Sequence, residues 1–155
     1  MSFDYVDLFA GIGGFHAALA HGGGRCVCVS EIDGRAAEVY RRNWSGDVDP
    51  LPGRPLIEGD IVPLTEVSPV LLPHHDVLAA GFPCQPFSKS GQQRGVNEAR
   101  GTLFWNILRV LEDRQPSVII LENVRNLAGP RHRKTWSTMI RLLRDVGYRV
   151  SSTPG

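Results

Sequence analysis

The 155-residue sequence has only three cysteines, Cys26, Cys28 and Cys84. An odd number without framework spacing argues against a disulfide scaffold and for a reducing compartment. Lysine is scarcer still, with Lys89 and Lys134 alone; the other basic residues are arginines. No apolar run approaches the ~20 residues of a membrane span. The opening Met1-Ser2-Phe3-Asp4 puts no basic region ahead of an apolar stretch, so no secretory signal is expected and cytoplasm is the expected compartment. A net charge of +1 gives no global basic field. Internal repeats and low-complexity tracts are also missing.

What remains is ordinary globular composition, 42% apolar and 21% charged, over one domain's worth of chain (1–155). Apolar runs alternate with helical patterns, which reads as βαβ units on a doubly wound, mostly parallel sheet. Strands are expected at Tyr5–Ala10, Cys26–Ile32, Leu56–Ile61, Val77–Ala80 and Ser117–Leu121, with a sixth beginning at Tyr148. Helices are expected at Phe15–Ala20, Arg35–Trp44, Thr102–Asp113 and about Lys134–Val146. Phe82–Arg100 is a long polar loop without apolar period. Between Lys89 and Arg149 basic residues clearly outnumber acidic ones, a pattern open to two readings, a phosphate-facing surface or a solvated arginine-rich one.

Chemistry gathers at the expected strand ends, where doubly wound sheets hold their ligands. The first strand runs into Asp7-Leu8-Phe9-Ala10-Gly11-Ile12-Gly13-Gly14, and glycines there let the backbone approach a ligand closely. Twenty positions beyond Gly11, Glu31 closes the second strand, where a carboxylate can accept both hydroxyls of a ribose. Asp60, in Gly59-Asp60-Ile61, is placed for an adenine amino group. The third glycine comes early for a G-x-G-x-x-G dinucleotide turn, with His16 in the usual position, which disfavours NAD. The fourth strand leads into Gly81-Phe82-Pro83-Cys84-Gln85-Pro86-Phe87-Ser88, a cysteine nucleophile bracketed by prolines. The fifth leads into Glu122-Asn123-Val124. Cys26 and Cys28, alternating on one strand face, read as core residues, and His74-His75 as a solvated turn; no metal site is expected.

These motifs, with Arg100-Gly101-Thr102-Leu103-Phe104, resemble in order and spacing those of cytosine-C5 DNA methyltransferases, over nearly the whole chain. The resemblance implies the Rossmann-like fold of S-adenosylmethionine-dependent methyltransferases. It implies a cofactor pocket drawn from Phe9, Gly11, Ile12, Gly13, Gly14, Glu31, Ile32, Asp60, Ile61 and Leu103. It implies a catalytic centre of Cys84 and Glu122 with Pro83, Gln85 and Asn123, and a lid over flipped-out DNA carrying Ser88, Ser90, Arg94 and Arg100. Cys84 would add to C6 of cytosine and make C5 nucleophilic, while Glu122 holds the N3 edge. The family's Gln-x-Arg-x-Arg segment and target-recognition region are not found, nor is the strand that family members insert beside the fifth. A C-terminal partner chain, a missing domain or self-association is therefore expected. A tRNA-directed enzyme and a non-catalytic binding remnant are the alternative readings.

Overall fold

A computed structural model describes residues 2–50, 52–83 and 102–150. Four parallel strands form one sheet: β1 (Phe3–Leu8), β2 (Gly24–Ser30), β3 (Val77–Gly81) and β4 (Val118–Glu122), in the order β2-β1-β3-β4. The helices are α1 (Gly14–His21), α2 (Gly34–Trp44), the single turn α3 (Val62–Thr65), α4 (Leu103–Arg114) and α5 (Arg133–Asp145), with short 3-10 turns at Arg125–Ala128 and Pro130–His132. No helix among the described residues is long and apolar enough to cross a membrane.

Strand periodicity divides the core between the two sheet faces. Val6, Leu8, Leu78 and Ala80 point to one face and pack with Phe104, Ile107, Leu111 and Leu142 from α4 and α5. Tyr5 and Val77 point to the other and pack with Ala37 and Tyr40 from α2. This is the double winding expected from the sequence. Local signals set the helix ends. The Asp33 side chain caps α2 by accepting from Arg35 N and Ala36 N, at 2.9 Å each. Gln115 ends α4 in the left-handed conformation, with its side-chain amide donating to Leu111 O at 2.9 Å.

Three expectations are corrected. Leu56–Ile61 does not form a strand. It contributes an isolated bridge at Glu58, whose N–H donates to Val29 O (2.7 Å) and whose carbonyl accepts from Glu31 N (2.9 Å). With Pro55 and Gly59 on either side, no longer ladder forms. No strand begins at Tyr148 among the described residues; Tyr148–Val150 is irregular, with the Tyr148 hydroxyl donating to Pro116 O at 2.8 Å. Cys26 and Cys28 do not share a face. The β1–β2 register shifts between Tyr5 and Val6, so Tyr5 opposes Cys26 while Val6 opposes Cys28. The extra residue, Val27, is a bulge that turns Cys28 towards the α4–α5 side and leaves Cys26 beside Tyr40. Both are free and buried, as expected of core residues, and burial pushes each thiol up to about 12.

β4 is the outer strand, paired among the described residues to β3 alone. Ile119, Ile120 and Leu121 are half-buried and Val118 is 48% exposed. Beside it runs an open groove of about 1120 Å³, lined by Phe82, Ile120, Glu122, Trp136, Met139 and Ile140 among others.

Candidate active site

The chain runs from β1 outwards to β2, then returns past β1 to β3. The crevice at the carboxyl ends of β1 and β3 is thus the point where the winding reverses, the ordinary ligand position of such sheets. The strand ends form a row, with Glu31 after β2, the glycine turn after β1, Phe82-Pro83 after β3 and Glu122-Asn123 at the end of β4. Three strand spacings of ~4.8 Å make that row roughly 14 Å long, enough for an extended ligand at one end and a second reactant at the other.

The β1 turn is built on unusual backbone. Phe9, Gly11 and Gly13 all have positive φ, at 57°, 58° and 97°. Left-handed phenylalanine is uncommon, and such conformations collect at ligand sites. The space beside Gly11 is open: a Cβ there would meet nothing within 4 Å. Glu31 ties this turn to β2. One carboxylate oxygen accepts the Gly11 N–H and the other the Asp33 N–H, both at 2.7 Å. An ionised carboxylate has about four acceptor sites, so each oxygen keeps one free for a vicinal diol. Ile12 and Ile32, next in the chain to Gly11 and Glu31, are apolar residues 61% and 72% exposed. Asp60 is exposed and accepts the Val62 N–H at 2.9 Å; Ile61 beside it is buried. Leu103, the first residue of α4, is half-buried against the core.

Glu31→Ala should weaken adenosine-containing ligands roughly 10- to 100-fold, the range for losing charge-assisted hydrogen bonds worth about 1.5–3 kcal/mol. Calorimetry on both proteins measures it, and equal affinities would remove Glu31 from the site.

The other end of the row is braced across two strands. Gly81 pairs in register with Glu122. A Cβ on Gly81 would lie 3.4 Å from Glu122 Oε2 and 3.8 Å from the Phe15 ring, so the carboxylate reaches across the glycine. Asn123 Nδ2 donates to Phe82 O at 2.7 Å, and its Oδ1 accepts the Val124 N–H at 2.8 Å. This amide fixes the backbone immediately ahead of exposed Pro83. Cys84, Gln85, Ser88, Ser90, Arg94 and Arg100 lie outside the described residues.

One residue that the sequence did not place at the site lies beneath it. Asp7 is fully buried on β1, and neither carboxylate oxygen has a hydrogen-bond partner among the described residues. Burial pushes its carboxyl up to about 7; the Glu31 charge adds to the rise, and the His16 backbone N–H offsets part of it without closing a hydrogen bond. An acid whose pKa is higher folded than unfolded gives the native state the extra proton between the two values. Stability should therefore fall as pH rises from about 4 to about 7 and level off above, by up to ~4 kcal/mol at ~1.4 kcal/mol per unit. Denaturant unfolding of the wild type should show this slope, and Asp7→Asn should lack it. Identical slopes in the two proteins would contradict the assignment. His16 does not reach the cofactor side; it is completely buried, with Nδ1 2.6 Å from the Tyr40 hydroxyl. His75 is buried, not solvated, with Nδ1 2.8 Å from Pro73 O. Among the described residues no group of His, Cys, Asp and Glu could hold a metal.

A family model described as C-5 cytosine-specific DNA methylase matches residues 3–153. Type II methyltransferase M.AluI of Cellulosimicrobium cellulans is 56% identical over 98% of this chain and 28% of its own length. Type II methyltransferase M.HhaI of Haemophilus parahaemolyticus is 41% identical over 93% of this chain and 40% of its own. The chain thus spans well under half the length of these relatives. Among solved structures, the S. pombe Dnmt2 methyltransferase superposes with a TM-score of 0.64 at 22% identity, covering 96% of this chain and 42% of that one. A DNA modification methyltransferase encoded within an E. coli prophage gives 0.64 at 21% identity, covering 92% and 38%. These likenesses establish the fold.

Proposed function

Since this chain belongs to the C-5 cytosine-specific DNA methylase family, we propose that it supplies the cofactor-binding and catalytic part of an enzyme that methylates C5 of cytosine in double-stranded DNA. The observation that carries the reading is the row of strand ends: a corner at Glu31 and the β1 turn fit for an adenosine, and a carboxylate, Glu122, lying across Gly81 of the strand that leads to Cys84.

S-adenosylmethionine, the methyl donor of this family, brings a methyl group on a sulfonium, ready for transfer to a carbon nucleophile. The residues present fit it. Glu31 has acceptors left for the ribose, Ile12 and Ile32 offer apolar cover for the adenine, and the space beside Gly11 is free of side chains. Asp60 supplies an acceptor for the adenine amino group, and Phe9, Gly13, Gly14, Ile61 and Leu103 complete the walls.

The remaining chemistry belongs to the far end of the row. The Cys84 thiolate adds to C6 of the target cytosine, and the electrons of the C5–C6 double bond move to C5. Glu122 holds the N3 edge and shares its proton, stabilising the charge that develops on the ring. Once C5 is methylated, loss of its proton lets the Cys84–C6 bond break and the double bond return. Asn123 holds the backbone at Phe82, next to Pro83, and the proposed roles of Pro83 and Gln85, the sequence neighbours of Cys84, are to fix and orient that nucleophile. C5 and C6 are inaccessible in stacked DNA, so the base is extruded, with Ser88, Ser90, Arg94 and Arg100 closing over it. Seven Arg and Lys against one Asp lie between Asn123 and Val150, a supply of positive charge for the DNA backbone near this end.

The names of the relatives, Type II methyltransferases, support a role in restriction–modification inside the cytoplasm. The outer edge of β4 supports completion of the sheet by further polypeptide or by a second copy. The test is transfer of labelled methyl from S-adenosylmethionine, with the rest of the fold supplied, to duplex DNA and to tRNA in parallel. Label in DNA cytosine is the expected result. Label in tRNA alone would select the RNA-directed branch, and no label in either would select a binding remnant.

A further inference from the structure

Beneath the β1 turn lies a stack of aromatic residues that the proposed chemistry does not use. The Trp44 indole, at the last residue of α2, donates from Nε1 to Ile12 O at 3.0 Å. The same ring fills the space on one side of Gly13: a Cβ there would fall 2.2 Å from Nε1 and 2.6 Å from Cδ1. Gly13 is thus required twice, by its φ of 97° and by the indole against it. Gly11 and Gly14 have no such neighbour. The loop is therefore gripped on its inner side at Ile12–Gly13 and left open at the two flanking glycines.

The indole is itself held. Its ring lies 4.8 Å from the His16 ring, tilted by 32°. His16 meets Tyr40 edge-on at 5.4 Å and Tyr5 edge-on at 5.8 Å, and its Nδ1 is 2.6 Å from the Tyr40 hydroxyl. His16, Tyr5 and Tyr40 have no exposed surface. Burial keeps the imidazole below its ordinary pKa, so near neutral pH it is uncharged and packs as an aromatic ring. A continuous contact path runs from the sheet core through Tyr5, His16 and Tyr40 to Trp44, and ends on the peptide that presents Ile12 to the cofactor side.

We propose that Trp44 is a positioning residue for the cofactor, acting only through the Ile12–Gly13 peptide, with His16 and Tyr40 as its fixed backing. The inference rests on the S-adenosylmethionine reading above. Pre-organisation is the physical content: a turn with three left-handed positions, at alternate residues from Phe9 to Gly13, has many alternatives in solution, and fixing one before the ligand arrives removes the ordering cost from binding. Trp44 is half-buried at a helix end, so its loss should cost the turn more than it costs the fold.

The experiment measures Kd for S-adenosylmethionine and for its demethylated product by calorimetry, alongside thermal melting without ligand, for wild type, Trp44→Phe, Trp44→Ala, Gly13→Ala and the Gly13→Ala/Trp44→Ala pair. Trp44→Phe keeps a ring and removes the donor; Kd should rise about fivefold, the scale of one hydrogen bond, with melting little changed. Trp44→Ala should raise Kd more than tenfold. In the pair, the clash at Gly13 is gone, so the combined loss should be smaller than the product of the single losses. Ligand should change the intrinsic fluorescence of the wild type, and that change should be absent from Trp44→Phe at saturating ligand. A Trp44→Phe protein with wild-type Kd, or Trp44 variants that melt early but bind normally, would overturn the inference and leave the cofactor reading standing. A wild-type chain that binds neither ligand removes both.

Discussion

Cys84→Ser is expected to reduce methyl transfer to the uncatalysed background and to abolish covalent capture of DNA whose target cytosine carries fluorine at C5. Fluorine cannot leave as a proton does, so the wild-type reaction should stall after methyl transfer with the Cys84–C6 bond intact. A serine hydroxyl at that position is far less ionised than a thiol and cannot make the bond at a useful rate. The other two thiols cannot substitute. Cys26 and Cys28 are buried in the sheet, and both are pushed up to about 12 by burial, leaving almost no thiolate near neutral pH. Brief alkylation of the native chain should accordingly label Cys84 and spare both sheet cysteines. Mass spectrometry of the trapped complex decides the main point, since an adduct surviving in Cys84→Ser would locate the nucleophile elsewhere.

β3 and β4 were legible in the sequence as short continuous apolar runs, and α2, α4 and α5 because their apolar residues keep a helical period over the whole element. Legibility ends where a long-range contact or an irregular backbone intervenes. Val27 is indistinguishable from its neighbours as a strand residue, yet as a bulge it separates Cys26 from Cys28. Leu56–Ile61 has strand-like apolar residues, but what the fold uses there is one backbone pairing at Glu58. The anchoring contacts of the site were hidden for a related reason. Glu31 was legible as a carboxylate at a strand end, but not its grip on the Gly11 N–H. Asn123 was legible as part of a motif, while its bond to Phe82 O spans 41 positions. Asp7 gave no signal, because its residue type predicts solvent and only the fold puts it at zero exposure. Trp44 stands 32 positions from the carbonyl that it holds, and no periodicity links the two.

The second large effect concerns β4. Its inner edge pairs with β3 through five residues, from Val118 opposite Val77 to Glu122 opposite Gly81; its outer edge pairs with nothing among the described residues. An edge made of Val118-Ile119-Ile120-Leu121 has neither charge nor proline to discourage pairing. The groove alongside it is walled by α5, with Trp136 half-buried, and Val118 on the edge is 48% exposed, so the edge backbone and an apolar surface are both open to a partner. Relatives of which this chain spans 28% to 40% have ample further polypeptide to provide it. The chain alone is therefore expected to self-associate on a sizing column and to transfer no methyl groups. Supplying the remainder of the fold as a second polypeptide should give a defined complex and turnover. Val118→Lys, which sets a charge on that edge at a position 48% exposed, should suppress both the self-association and the reconstitution while leaving binding of S-adenosylmethionine close to normal, because the proposed cofactor corner at Glu31 lies at the opposite edge of the sheet. Monomeric behaviour of the unmodified chain together with unaided methylation of DNA would show that β4 needs no partner and that the row of strand ends is sufficient for catalysis.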